Sequence, residues 1–180
     1  MDYKSISTVK IIGMVCFIML GLVFHDLYEI TGNTYLGIIS PVNESKWEHW
    51  KMAFFPVLIV SLFEYRFIKA YVSNYIFSLA VGILVFLMIT FGSIELYDIF
   101  MGYTPLFIHV STFLLGGIAC QMTRYYIMLR TKPSKTFFVS GSAILLILFL
   151  LFAVFTFLPP KIEYFRDPLT DTYGIYQVSE

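Results

Sequence analysis

The chain has 180 residues, 58% of them hydrophobic and 13% charged, and a formal net charge of zero. A soluble domain is about half apolar and about a quarter charged, so this sequence lacks the polar shell that a water-soluble fold of its length requires. Zero net charge gives no basis for nucleic-acid binding.

Residues 11–24 and 139–160 contain no charged side chain, and lipid is the natural solvent for such runs. The predicted fold is all-α: one polytopic integral membrane domain, a bundle of five transmembrane helices over 9–31, 46–69, 71–92, 104–129 and 138–158, with an outer tail at 159–180. The first segment does not read as a cleavable signal, because no small-residue cleavage site follows it and the polar stretch HDLYE comes next. It has a stop signal at Gly32 and Asn33, both tolerant of the left-handed conformation. The second helix opens on SKWE, the capping-box pattern in which Ser45 and Glu48 satisfy free amides of the first turn. Trp47 and Trp50 flank that start and read as interfacial anchors. Pro56 is placed to kink the helix. Glu64 lies roughly 22 Å along the helix from His49, at the inner interface, within reach of Arg66, Lys69 or Arg124.

Helices three and five have no ionisable residue in their cores, so no continuous charged path crosses the membrane. Glu95 and Asp98 fall in the predicted outer connection between helices three and four. In helix four, Gly116 and Gly117 permit close helix contact. Cys16 and Cys120 sit inside apolar spans and read as small hydrophobes.

Orientation follows from the basic residues. With the N-terminus in the cytoplasm, Lys4, Lys10, Arg66, Lys69, Arg124, Arg130, Lys132 and Lys135 are inside, and Lys46, Lys51, Lys161 and Arg166 outside. Eight against four favours a multi-pass protein of the cell membrane with a cytoplasmic N-terminus and an extracytoplasmic C-terminus. Asp2 and Glu64 are the inner acidic residues.

Ionisable groups in spans are costly and mark function. His25, Asp26 and Glu29 lie in the outer third of helix one, with His25 and Glu29 on one face. Glu48 and His49 open helix two, and His109 lies near the start of helix four. At about 1.5 Å per residue, His25, His109 and His49 lie roughly 9, 7 and 6 Å below the outer ends of their helices, at one depth. Three protein ligands with one open position define a catalytic zinc site. His25, His49 and His109 fit that set, with zinc or another divalent metal as cofactor and Glu29 as fourth ligand or general base. Glu48 is the alternative base or an orienting group. The same residues also fit a structural reading, in which the histidines hydrogen-bond carboxylates across helices. Haem ligation and a proton or ion path remain open as well. No H-E-x-x-H, G-x-S-x-G or Walker pattern is present.

The segment 41–51, PVNESKWEHWK, and the tail segment DPLTDTYG resemble an uncharacterised family of small polytopic membrane proteins of Gram-positive bacteria. The likeness rests on Pro41, Val42, Asn43, Glu44, Ser45, Trp47, Glu48, His49 and Lys51. It implies a bacterial polytopic membrane protein and no assigned activity. From the residues themselves, the expected activity is a metal-dependent, membrane-embedded hydrolase acting on a lipid or other amphipathic substrate from the bilayer. The alternative is a non-enzymatic binding or assembly protein, or a carrier of small solutes.

Overall fold

A computed structural model describes residues 3–175. Asp2, counted above on the inner side, and residues 176–180 of the tail lie outside them, as does the side chain of Lys4. The helices are α1 (Tyr3–Thr31), α2 (Lys46–Ile68), α3 (Tyr75–Met101), α4 (Leu106–Arg130) and α5 (Lys135–Phe157). Short 3-10 turns occupy Leu36–Ile38 and Glu163–Phe165. Among the described residues there is no strand beyond one isolated bridge, Arg166 to Tyr173.

Local chemistry sets the ends. Gly32, at φ 60°, ends α1 in the left-handed conformation, its amide donating to the Tyr28 carbonyl at 2.8 Å. Asn74, also left-handed at φ 51°, delays α3 until Tyr75. That helix then runs past the expected end at 92 to Met101. Glu95 and Asp98 therefore lie on helix rather than loop, and both pair with Lys46, at 2.8 and 2.9 Å. The charges gather on the side facing α2, while Leu96, Ile99 and Phe100 point outward.

Four helices are long and apolar enough to cross a membrane: Ser5–Thr31, Tyr75–Met101, Leu106–Arg130 and Lys135–Phe157. The second helix is not among them, because Lys46, Glu48 and Lys51 at its start and Glu64 and Arg66 near its end leave only residues 52–63 free of charge. Its first half is enclosed by protein, with Trp47, Glu48 and Lys51 through Val57 buried. Side chains that never face lipid need partners rather than apolarity. Of the five helices expected to cross the membrane, all five form, and four are long and apolar enough to span it.

α1 packs along α2 and α4, while α3 packs against α4, α5 and α2. Phe17, Phe54, Ile83, Phe86, Cys120 and Phe152, drawn from all five helices, are fully buried in one core. Small residues let the backbones close up. A Cβ at Gly116 would lie 2.4 Å from Thr90 Oγ1 and 2.7 Å from the Phe86 ring, so α4 meets α3 there at glycine distance.

The tail folds back over the histidine-bearing end. Phe165 stacks on Trp47 with ring centroids 5.0 Å apart, and Trp50 Nε1 donates to Tyr164 Oη at 2.9 Å. The two tryptophans, read from the sequence as lipid anchors, instead form the seat of the tail; Trp47 is 7% exposed. Ile175 N–H donates to the Thr156 carbonyl at 2.9 Å. Gly174 stands beside it at φ 63°, where a Cβ would come within 2.6 Å of the same carbonyl oxygen.

Candidate metal centre

Three segments meet at the tail-covered end: α1 brings His25, the connection to α2 brings Glu44, and the first turn of α2 brings His49. One ligand atom from each of these residues lies within 4.8 Å of the other two. His49 Nε2 stands 3.4 Å from Glu44 Oε2, and His25 Nε2 stands 4.0 Å from Glu44 Oε1. The imidazole centroids are 5.3 Å apart.

The far nitrogens are also engaged. His49 Nδ1 donates to the Ser45 carbonyl at 2.9 Å, and His25 Nδ1 is hydrogen-bonded to the Asp26 carboxylate. With Nδ1 of each ring engaged, Nε2 is the nitrogen turned toward Glu44, and the Nε2 proton that His49 shares with that carboxylate is the one a metal ion would displace. Metal-bound histidines are oriented in this way, by a carbonyl or carboxylate on the second nitrogen. The loop is fixed in turn: Asn43 Oδ1 accepts from Ser45 N–H at 2.9 Å, and Asn43 Nδ2 donates to the Gly174 carbonyl at 3.0 Å. The hydrogen bond with His49 holds the Glu44 carboxyl below its ordinary range, against the opposing effect of partial burial. The three side chains are 24–40% exposed, so the group opens to the surface.

The other expected site residues are placed elsewhere. His109 is exposed near the start of α4, hydrogen-bonded to the Thr104 backbone, and is not in the group. Glu29 is exposed on α1 and is likewise outside it. Glu48 is 1% exposed. Its Oε2 accepts from Val42 N–H at 3.0 Å and from Lys51 Nζ at 2.5 Å. Half of the capping box forms, with Ser45 Oγ accepting from Glu48 N–H at 3.4 Å. The Glu48 carboxylate turns to Val42 and Lys51. Lys51, fully buried, also donates to Thr156 Oγ1 at 2.6 Å and to the Gly37 carbonyl at 2.7 Å, fastening loop, α2 and α5 together.

A second buried network lies at the opposite end of α2. Glu64 Oε2 accepts from Lys10 Nζ and from Arg124 Nη2, each at 2.7 Å, and Glu64 Oε1 accepts from Gln121 Nε2 at 3.0 Å. Tyr75 Oη accepts from Arg124 Nη2 at 3.1 Å and donates to the Ser61 carbonyl at 2.7 Å. Glycine makes the room: a Cβ at Gly13 would lie 2.0 Å from Glu64 Oε1, and one at Gly82 would lie 2.5 Å from Arg124 Cγ. Glu64 is therefore a core residue rather than an interfacial one, and Lys10, read as a basic residue of the inner surface, is 3% exposed beside it.

Glu44 is a ligand candidate that helical periodicity does not single out. It stands in a loop before a helix start, where no periodicity aims a side chain; its one signal was its place within the N-E-S-K-W-E-H run.

These features define a helical bundle of membrane-length apolar helices, capped by its own tail, with a His–Glu–His group at the capped end. The chain belongs to the family of unknown function DUF6512, whose model matches residues 1–175. No curated protein and no solved structure matches it.

Proposed function

We propose that this protein is a five-span integral membrane protein holding one divalent metal ion of the zinc class at its outer face, through His25 Nε2, His49 Nε2 and the Glu44 carboxylate. The observation that carries this reading is the convergence of both Nε2 atoms on Glu44 while both Nδ1 atoms are occupied. Three ligands leave a zinc coordination position open. A metal in such a site lowers the pKa of bound water to about 7 and polarises a carbonyl or phosphoryl oxygen. Glu29, one turn from His25 and exposed, is the carboxylate available as a base for a hydrolytic reaction on an amphipathic substrate. Glu48 is engaged by Lys51 and serves to hold the first turn of α2.

Elemental analysis of protein purified without chelator is expected to give about one metal ion per chain. His25→Ala, Glu44→Ala and His49→Ala should each abolish it, and His109→Ala should retain it. Asp26→Ala, which leaves all three ligands in place, should weaken zinc binding by about tenfold or more. Because protons compete with the metal for the imidazoles, occupancy should fall as the solution is acidified. A wild-type protein that takes up no added zinc at neutral pH overturns the reading.

The 23 residues of α2 span about 34 Å, enough for a hydrocarbon core of about 30 Å. Removing the buried Lys10, Arg124 and Lys51 from the basic count leaves six inside (eight less two) and three outside (four less one), the same twofold bias. A reporter fused after Glu180 should therefore read extracytoplasmic and one inserted beside Lys132 cytoplasmic. Opposite signals at both sites would invert the topology.

A further inference from the structure

The end of the bundle opposite the histidines carries a cavity of about 380 Å³ between the end of α2, the start of α3 and the start of α5. Lys69, Asn74, Ser134 and Lys135 give its lining polar groups, and Val72, Ile76 and Phe138 give it apolar ones. We propose that this cavity binds the headgroup of an anionic phospholipid, with the lysines on the phosphate and the apolar groups against the first acyl carbons.

Charge points to an anion. Lys69 and Lys135 are exposed, and neither has a carboxylate partner among the described residues. Glu64 is the one described carboxylate on that side of the protein, and it is enclosed between Lys10 and Arg124. An ammonium pair without counter-charge at a membrane edge attracts anionic headgroups, and basic pockets between helices serve that purpose. The volume lies within the range of about 300–1,000 Å³ usual for small-molecule sites.

The cavity is also framed before any ligand arrives. Asn74, in the left-handed conformation, donates from Nδ2 to Thr131 Oγ1 and to the Lys132 carbonyl, both at 2.7 Å, and its Oδ1 accepts from Ser134 N–H at 2.9 Å. Ser73 N–H donates to the Met128 carbonyl at 3.0 Å. The connection from α4 to α5, which ends at Ser134 just before Lys135 opens α5, is thereby pinned to the start of α3. Phe77 stacks on Phe137 at 4.3 Å and fixes α5 against α3. Lys69 lies over the Tyr65 ring at 5.9 Å, which keeps its stem at the rim. A phospholipid combines a phosphate with an adjoining hydrocarbon, and the lining offers groups for both. A soluble phosphate would leave the apolar groups unused.

The test is native mass spectrometry of the full-length protein in detergent, titrated with short-chain phosphatidylglycerol. One lipid should bind in preference to phosphatidylcholine of the same chain length. Lys69→Ala and Lys135→Ala should each weaken binding about fivefold. Lys132→Ala, in the same connection but outside the cavity, should leave it unchanged, and Ile76→Trp should block it sterically while both lysines remain. Equal losses at Lys132 and Lys135 would reduce the effect to diffuse surface attraction and overturn the site. Saturation by inorganic phosphate at the same concentrations, or equal binding of phosphatidylcholine, would overturn the anionic lipid as its occupant.

Discussion

Replacing Glu64 with leucine is expected to be among the most damaging single changes in this protein. The substitution removes the acceptor shared by Lys10, Arg124 and Gln121 and leaves two cations buried with no carboxylate between them. Breaking a buried pair by deleting one partner costs about 3–5 kcal/mol. For a chain of this length that corresponds to about 6–20 °C in melting temperature, read by thermal unfolding in detergent. Because the damage comes from the uncompensated charge rather than from lost volume, Lys10→Met added to Glu64→Leu should recover part of the loss. If the double variant is no better than Glu64→Leu alone, Lys10 is not coupled to Glu64 in the way the structure shows. Gly13→Val should act on the same network from the side, because its Cβ would occupy the space of Glu64 Oε1.

Lys51→Met is expected to have a comparable effect at the other end of α2, by a different route. It strands the Glu48 carboxylate at 1% exposure and releases the ties to Thr156 on α5 and to Gly37 in the loop. A destabilisation of about 3–5 kcal/mol follows from the unpaired charge, and limited proteolysis should find the connection between α1 and α2 newly open. Glu48→Gln combined with Lys51→Met removes the stranded charge and should regain stability without restoring the closed loop. On the proposed zinc reading, affinity for the metal rests on Glu44 being held in that loop and should fall in both variants. Unchanged protease resistance in Lys51→Met would show that the loop is held by other contacts.

Much of the helical framework was legible because lipid-compatible runs are long and because single residues announce their ends. Gly32 is an instance, closing α1 where its tolerance of positive φ places the stop. The end of α3 was not legible by the same rule. Glu95 and Asp98 look like loop residues until Lys46, far away in sequence, is seen opposite them. The site divides in the same way. His25 and His49 were found because helical rise gives depth directly, and depth correlates residues on different helices. Depth says nothing about azimuth, so His109, at a similar level, stood equal to them in the sequence while the fold leaves it outside the group. Glu44 escaped because loop side chains have no rise or period to reason from. Lys10 and Arg124 were read as surface charges because a count of basic residues assumes that each one meets water. The notches at Gly13 and Gly82 that admit their partners are visible only once the neighbouring helices are in place.

The closing of the tail over the bundle also bears on the order in which the protein is made. Residues 159–175 leave the ribosome after all five helices, yet they supply the Gly174 carbonyl that holds Asn43, and Thr156, late in α5, supplies the hydroxyl that receives Lys51. The loop that presents Glu44 is synthesised early and waits for its last two supports until synthesis of the described chain is nearly complete. The fixing of Glu44 is thus completed from the C-terminal side, after both of its histidine neighbours have been made.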